Sequence, residues 1–182
     1  MKTITRAGLA ALLIIAVTVL AAGCGSSSSS DTKTQGNATD RAFVKNMIPH
    51  HRSAVQMASI AKGEATGTFA KTLASNITRT QTAEIAQMQN ADKKLADAGI
   101  KVGDLGMSAS MMGMHDDAAM LRGARPFDQK FITMMLPHHL GAIAMARVEL
   151  AKGSNPELKK LATNIIRAQQ SEVAQMRAHK TT

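Results

Sequence analysis

The strongest constraint on the fold of this 182-residue chain is an internal duplication. A block that starts at Asp40 recurs 88 positions later, at Asp128, and keeps Phe, Met, Pro, two adjacent His, Ala and Met in the same order. A second block, which starts at Leu73, recurs at Leu161 with the same offset and keeps Asn, Ile, Arg, Gln, Glu and Met. Each half is therefore expected to be one structural unit, and the two units must pack together to bury their apolar faces.

Each half is predicted to be a helical hairpin, because its two blocks have helical spacing of apolar residues and a glycine-containing turn lies between them. Aromatic residues make up only 2% of the chain, which favours a helical core of Ala, Leu, Ile, Val and Met over a β-sandwich. We therefore predict an all-α four-helix bundle built from two duplicated hairpins. The predicted helices are 40–62, 68–98, 126–152 and 156–179. They form one domain, 40–182, which consists of hairpin 40–98, connector 99–125 and hairpin 126–179. Within the connector, only 116–122 has helical character.

The N-terminal segment has the features of an export signal. Lys2 and Arg6 precede an apolar run at 9–20, which is followed by small residues and the only cysteine, Cys24. This arrangement resembles a bacterial lipobox, so we predict a lipoprotein signal peptide at 1–23 and lipidation of Cys24. A Ser-rich tether at 24–39 would then hold the domain on the extracytoplasmic side of the membrane. The alternative is an ordinary secretory signal that leaves Cys24 as a free thiol.

The duplicated blocks place candidate metal ligands on one stripe of each hairpin's first helix. The partner helices each carry one glutamate, Glu84 or Glu172, on the face that is expected to point inward. A buried carboxylate needs a partner, which the facing His pair could provide as hydrogen-bond donors or as fellow ligands of a metal ion. The stripe residues are Met47, His50, His51 and Met57 in the first half, and Met135, His138, His139 and Met145 in the second.

Two interpretations of these residues remain open. A metal site predicts that the side chains of His50, His51 and Glu84 converge within coordination reach. The alternative is a hydrogen-bonded His–Glu pair in each half, with the Met residues filling the core. The prolines before the His pairs also allow two outcomes, because Pro49 and Pro137 could lie inside long helices or begin new ones, with a separate short helix before Pro49.

The connector supplies a second group of candidate ligands. Thioether and imidazole suit Cu(I) and the chemically similar Ag(I) where thiolate is absent. A loop of this composition could also fold over the bundle as a lid that buries its Met side chains. The candidate ligands in the connector are Met111, Met112, Met114 and His115.

The repeated M-[IL]-P-H-H-x-x-A-[VI]-x-M-A block, the Phe-Asp-x-x-Phe at 127–131 and the M-M-G-M-H of the connector resemble the bacterial family known as domain of unknown function 305. The resemblance spans about 40–179. It implies a ferritin-like bundle that is exported, with some members linked to copper binding and to copper or silver tolerance. It also implies that the His and Met residues of the two stripes are the candidate ligands.

The leading functional hypothesis is a non-catalytic, lipid-anchored protein that sequesters or transfers Cu(I) or Ag(I), with no organic cofactor. Glu84 and Glu172 would orient the sites or act as ligands. The alternative is a structural or protein-interaction bundle of the cell envelope. A ferritin-like di-metal oxidase is disfavoured, because it needs about four inward carboxylates and each half offers one. Nucleic acid is not an expected partner, since the net charge of +9 is scattered and aromatic residues are scarce.

Overall fold

The structure, a computed structural model, describes residues 36–114 and 118–180. Its helices are α1 (Ala38–Glu64), α2 (Thr68–Asp97), α3 (Phe127–Lys152) and α4 (Pro156–Lys180), with a short 3-10 helix at Ala118–Leu121. The predicted all-α four-helix bundle is confirmed, and these ranges contain no strand. None of their helices is long and apolar enough to cross a membrane. The predicted signal peptide, Cys24 and most of the tether lie outside the described residues.

Helix α1 begins at Ala38, earlier than the predicted Asp40, because Asn37 caps it. The Asn37 side chain accepts hydrogen bonds from the backbone of Thr39 and Asp40 at 2.9 and 3.1 Å. The Asp40 carboxylate accepts one in return from the Asn37 backbone, which completes a capping box. Asn37 therefore belongs to the folded bundle and not to the predicted tether.

Asp40 and Asp128, which are equivalent in the repeat, each cap a helix of the bundle. Asp128 accepts hydrogen bonds from the backbone amides of Thr66 and Gly67 at the start of α2, at 3.1 and 2.6 Å. Asp40 accepts hydrogen bonds from the amides of Ser154 and Asn155 at the start of α4. A carboxylate at a helix N-terminus satisfies free N–H groups and interacts favourably with the helix dipole. The aspartate that begins the repeated block thus fixes, in each half, where the helix that it caps begins.

Both helix-interior prolines are accommodated without ending a helix. Pro49 lies inside α1 and Pro137 inside α3. The interpretation that each proline begins a new helix, after a separate short helix, is therefore wrong. Each proline lacks the N–H that the carbonyl four residues earlier would receive. Both prolines are exposed, so water can reach that carbonyl and the helix continues to the His pair.

Helices α1 and α3 form the inner pair of the bundle. Helix α2 packs on α1 and α4 packs on α3, whereas α2 and α4 meet only sparsely. Small side chains let α1 and α3 approach closely, and four alanines of the pair are fully buried. They are Ala54, Ala58, Ala142 and Ala146. The His pairs follow the prolines near the middle of these two helices.

The connector runs along α1 from one end to the other. Near its start, the amide of Gly103 donates to the carbonyl of Ala38 at 2.9 Å. Near its end, the amide of Gly123 donates to the side chain of Glu64, the last residue of α1, at 2.9 Å. Leu121 in the 3-10 helix is fully buried against the core. The helical character predicted for 116–122 is thus present at Ala118–Leu121 among the residues described there.

Glu149, near the end of α3, is a fully buried acid beside Asp40. Burial raises the pKa of Glu149 to about 8, and the closeness and negative charge of the Asp40 carboxylate add to that shift, while Lys159 opposes it. Burial also tends to raise the pKa of Asp40. The nearby Glu149 side chain and hydrogen bonds from three backbone amides outweigh that effect and lower the pKa of Asp40. At neutral pH, therefore, Glu149 is protonated beside the Asp40 carboxylate, although its carboxyl oxygens do not reach hydrogen-bond geometry with any described residue.

We expect this pair to make the folded state less stable as the pH rises. Because the pKa of Glu149 is 4.5 when unfolded and about 8 when folded, the folded chain binds the extra proton between these values. Its contribution to the free energy of unfolding therefore falls across pH 4.5–8. Gln has no titrating proton, so thermal unfolding of Glu149→Gln should lose that slope. Glu157→Gln, which changes an exposed acid on α4, is the matched control. A slope that persists in Glu149→Gln would contradict the assignment.

Candidate metal centre

The His50 and His138 rings meet where α1 and α3 pack together. Their ring centroids are 3.7 Å apart, with the planes tilted by 34°. His50 is fully buried and His138 is 4% exposed. The duplication explains this contact, since the two residues are equivalent in the repeat and face each other across the inner helix pair.

Neither ring has a hydrogen-bond partner for its nitrogens among the described residues. Burial lowers the pKa of His50 to about 3, with a further contribution from the neighbouring His51. The Met112 backbone counteracts that shift, although it does not reach hydrogen-bond geometry. Burial and the neighbouring His50 likewise lower the pKa of His138. Both imidazoles are therefore neutral at physiological pH, which is the form that binds a metal ion.

The second His of each pair is held by a glutamate of the neighbouring helix. Nε2 of His51 lies 2.8 Å from Glu84 Oε2, and Nε2 of His139 lies 2.7 Å from Glu172 Oε2. The expectation that both glutamates point inward to meet a His is confirmed. An ionised carboxylate can only accept, so Nε2 carries the proton and a neutral ring keeps its lone pair on Nδ1. Nδ1 of both rings is buried and has no partner in the described part of the chain.

Two buried glutamines complete this polar layer, and the sequence reasoning did not select them as site residues. Gln81 and Gln169 are 2% and 3% exposed, and the side-chain nitrogen and oxygen of each lack a partner within 36–114 and 118–180. Each glutamine lies one helical turn before the glutamate that holds a His. The signal that could have identified them was available, because both recur at the offset of 88 among otherwise apolar core positions.

The four methionines of the stripes belong to the apolar core. Met57 and Met135 lie in one hydrophobic cluster, while Met47 and Met145 lie in the other. All four are at most 1% exposed. Their burial fits the core-filling role, and it also keeps their thioethers in the same interior as the His pairs.

The connector methionines divide into exposed and packed side chains. Met111 is 60% exposed and Met114 is 40% exposed, whereas Met112 is half-buried against the core. The connector is therefore partly a cover over the bundle and partly an exposed thioether surface. His115 lies outside the described residues.

The expected convergence of His50, His51 and Glu84 is not seen. Among the residues that the structure describes, no three His, Cys, Asp or Glu side chains are grouped so as to hold a metal ion. The His50 and His51 centroids are 6.2 Å apart, and His51 is hydrogen-bonded to Glu84. The His–Glu arrangement is thus the one expected of a structural pair. The buried imidazole nitrogens nevertheless remain unpartnered, and neutral imidazole together with thioether is a donor set that suits a soft metal ion.

Because an unpartnered buried polar group is unfavourable, we expect removal of a glutamine amide to stabilise the metal-free protein. Gln81→Leu fills a similar volume without polar atoms, so the free energy of unfolding should increase by about 1–3 kcal/mol. Chemical denaturation of metal-free protein measures this change, and Gln87→Leu, at an exposed site on α2, is the control. If Gln81→Leu destabilised the protein and Gln87→Leu did not, ordered water would have to satisfy the Gln81 amide and be part of the core.

The chain is similar to solved structures of a metal-binding protein. It is 34% identical to CopM in the Cu(I)-bound form, with a TM-score of 0.65, over 78% of this chain and 95% of that chain. CopM has also been solved in Cu(II)-bound and Ag-bound forms, which match with TM-scores of 0.68 and 0.65. These matches cover the bundle and agree with its all-helical architecture.

Two further relatives carry no assigned activity. A Streptomyces coelicolor protein, proposed to be secreted, is 26% identical over 76% of this chain and 88% of that chain, with a TM-score of 0.65. An uncharacterised protein of Acanthamoeba polyphaga mimivirus is 39% identical over 49 residues. The matched part spans about a third of that relative, or 32% of its length, and 27% of this chain.

The family model for the domain of unknown function DUF305 matches residues 40–180, which include both hairpins, both His pairs and the connector. The chain therefore belongs to the DUF305 family.

Proposed function

We propose that this protein is an extracytoplasmic, lipid-anchored metal-binding protein that sequesters or transfers Cu(I) or Ag(I). The observation that carries the proposal is the set of buried, unpartnered imidazole nitrogens at the centre of the bundle. Leaving such groups without a partner is unfavourable, and a bound metal ion would satisfy them. The similarity to CopM, which has been solved with Cu(I) and with Ag, supports the same assignment.

The chemistry of the donors favours a soft monovalent ion. The candidate ligands are neutral imidazoles and thioethers, which suit Cu(I) and Ag(I). The carboxylates of Glu84 and Glu172 already accept hydrogen bonds from His51 and His139. In this role the glutamates orient the rings and raise the basicity of Nδ1, as carboxylates do for metal-binding His in other proteins.

The ring spacings favour one ion for each His pair over one ion shared between the halves. With about 2 Å from a metal to each imidazole nitrogen, two rings on opposite sides of one ion have centroids about 6 Å apart. The spacing is 6.2 Å for His50 and His51 and 6.5 Å for His138 and His139. By contrast, the His50 and His138 rings are in contact at 3.7 Å, which leaves no room for an ion between their faces.

The connector methionines and Cys24 complete the proposal. The exposed Met111 and Met114 thioethers would capture the ion from solution, together with Met112 and His115, and pass it to the His pairs. Lipidation of Cys24 would keep the bundle at the membrane surface, outside the cytoplasm. A metal that is captured and passed on in this way is cargo and not a cofactor.

A second candidate is a structural or protein-interaction bundle of the cell envelope without bound metal. It is favoured by the two His–Glu hydrogen bonds and by the absence, within residues 36–114 and 118–180, of a three-residue metal-holding group. The two candidates differ in whether the core takes up a soft metal ion at all.

Anaerobic titration of the purified protein with Cu(I), against a chromophoric chelator, distinguishes them. We expect competitive binding, with one ion lost from the stoichiometry in His50→Ala/His51→Ala and one in His138→Ala/His139→Ala. Native mass spectrometry with Ag(I) counts the ions independently. His179→Ala is the matched control, since His179 stacks on Phe69 at the surface.

Two results would contradict this proposal. If the protein fails to compete with even a weak chelator, metal binding is wrong and the envelope bundle is the better assignment. If either double His variant loses all bound ions while remaining folded, the two pairs share one site and the assignment of one ion to each pair is wrong.

A further inference from the structure

The connector touches α3 through backbone atoms, at a glycine in the middle of the helix. Gly141 is buried, and a Cβ atom added to it would lie 2.0 Å from the Met112 carbonyl oxygen and 2.7 Å from the Gly113 nitrogen. Both distances are far below a van der Waals contact. Any side chain at position 141 would therefore force the connector backbone away from the helix.

A second glycine meets the same contact from the connector side. Gly113 has a φ of +71°, a conformation that residues with a side chain rarely adopt. A Cβ atom there would lie 2.5 Å from the Pro137 carbonyl oxygen and 3.0 Å from the His138 Cα. The Gly113 amide also donates to the Ser110 carbonyl at 3.0 Å, within a hydrogen-bonded turn. The connector is thus seated directly over the first His of the second pair.

We call the contact of the Met112–Gly113 backbone with Gly141 the seat of the connector. The internal repeat shows that this seat is not a general feature of the hairpins. The position equivalent to Gly141 in the first half is Ser53, a half-buried residue of α1. Glycine inside a helix is less favourable than alanine by about 1 kcal/mol. The second half therefore has a residue that weakens its helix at a point where the connector backbone needs the space.

The seat places one connector methionine against the apolar core. Met112, whose carbonyl faces Gly141, packs against the core cluster that contains Met47 and Met145. On either side of the Met112–Gly113 contact, Met111 and Met114 are exposed to solvent. This short turn thus carries one half-buried and two exposed methionines, and its backbone lies against His138 at Gly113.

We propose that Gly141 is a positioning residue of the metal site. By admitting the Met112–Gly113 backbone, it holds the turn that carries Met111, Met112 and Met114 beside His138, where these thioethers bind the soft metal ion before it passes to the His pairs. This inference rests on the proposed function, and it adds a residue that has no ligand atom of its own.

A double-mutant cycle on the full chain tests the proposal, with Ag(I) as the probe. The variants are Gly141→Ala, the triple variant Met111→Leu/Met112→Leu/Met114→Leu, and their combination. Ser53→Ala is the matched control at the equivalent helix position. Gly113→Ala is a second way to unseat the connector, should Gly141→Ala fail to fold. The measurements are Ag(I) affinity by competition, hydrogen exchange of the connector amides, and thermal unfolding.

We expect Gly141→Ala to increase hydrogen exchange at 108–114 and to weaken Ag(I) binding by about the same factor as the triple Met variant. The combined variant should lose no more than either alone, because both changes remove the same interaction. Helix propensity alone predicts that Gly141→Ala stabilises the bundle, so weaker binding without a lower unfolding temperature identifies positioning. Ser53→Ala should change neither measurement.

Three results would overturn the proposal while leaving the proposed function intact. Unchanged hydrogen exchange in both glycine variants would show that the connector does not depend on this seat. Unchanged affinity with an unseated connector would show that the thioethers are not ligands. Additive losses in the combined variant would show that Gly141 acts on the bundle itself. If the unmodified protein does not bind Ag(I), the proposed function fails, and this inference fails with it.

Discussion

The contact between the His50 and His138 rings is the constraint on which the rest of the structure depends. Two neutral imidazoles at 3.7 Å occupy the point where the inner helices cross, and none of their nitrogens has a partner among the described residues. Buried polar groups of this kind are tolerated when a ligand or ordered water satisfies them. A ligand that binds only the folded chain would also stabilise it. Under the proposed function, a bound metal ion would therefore stabilise the fold through these same two rings.

Much of the fold follows from the sequence because the repeat carries helical periodicity and turn signals twice. The inward direction of Glu84 and Glu172 also follows from that periodicity, and both glutamates meet a His. The pairing of the His rings could not be predicted in this way, because it depends on how α1 and α3 pack against each other. Periodicity places His50 and His51 on one stripe, but it cannot show that His50 meets its own repeat equivalent while His51 turns to α2.

Some positions differ between the two halves of the repeat, and two of these differences have a structural reason. Gly141 stands where the first half has Ser53, and the buried acid Glu149 stands where it has Ala61. Both changes lie on α3, one under the connector and one beside the Asp40 cap of α4. The His, Glu and Gln residues of the polar layer recur in both halves. The polar layer is therefore the same in both halves, while α3 differs from α1 at its contact with the connector and beside Asp40.

The thioether and imidazole groups range from exposed in the connector to buried in the core. Met111 and Met114 are exposed, Met112 is half-buried, and the stripe methionines lie in the core beside neutral imidazoles. Burial lowers the pKa of His50 to about 3, so this imidazole stays neutral in mildly acidic solution. The Met112–Gly113 backbone contact at Gly141 joins the connector that carries the exposed thioethers to the helix that carries His138 and His139, so under the proposed function it is the place where the two groups of donors are held together.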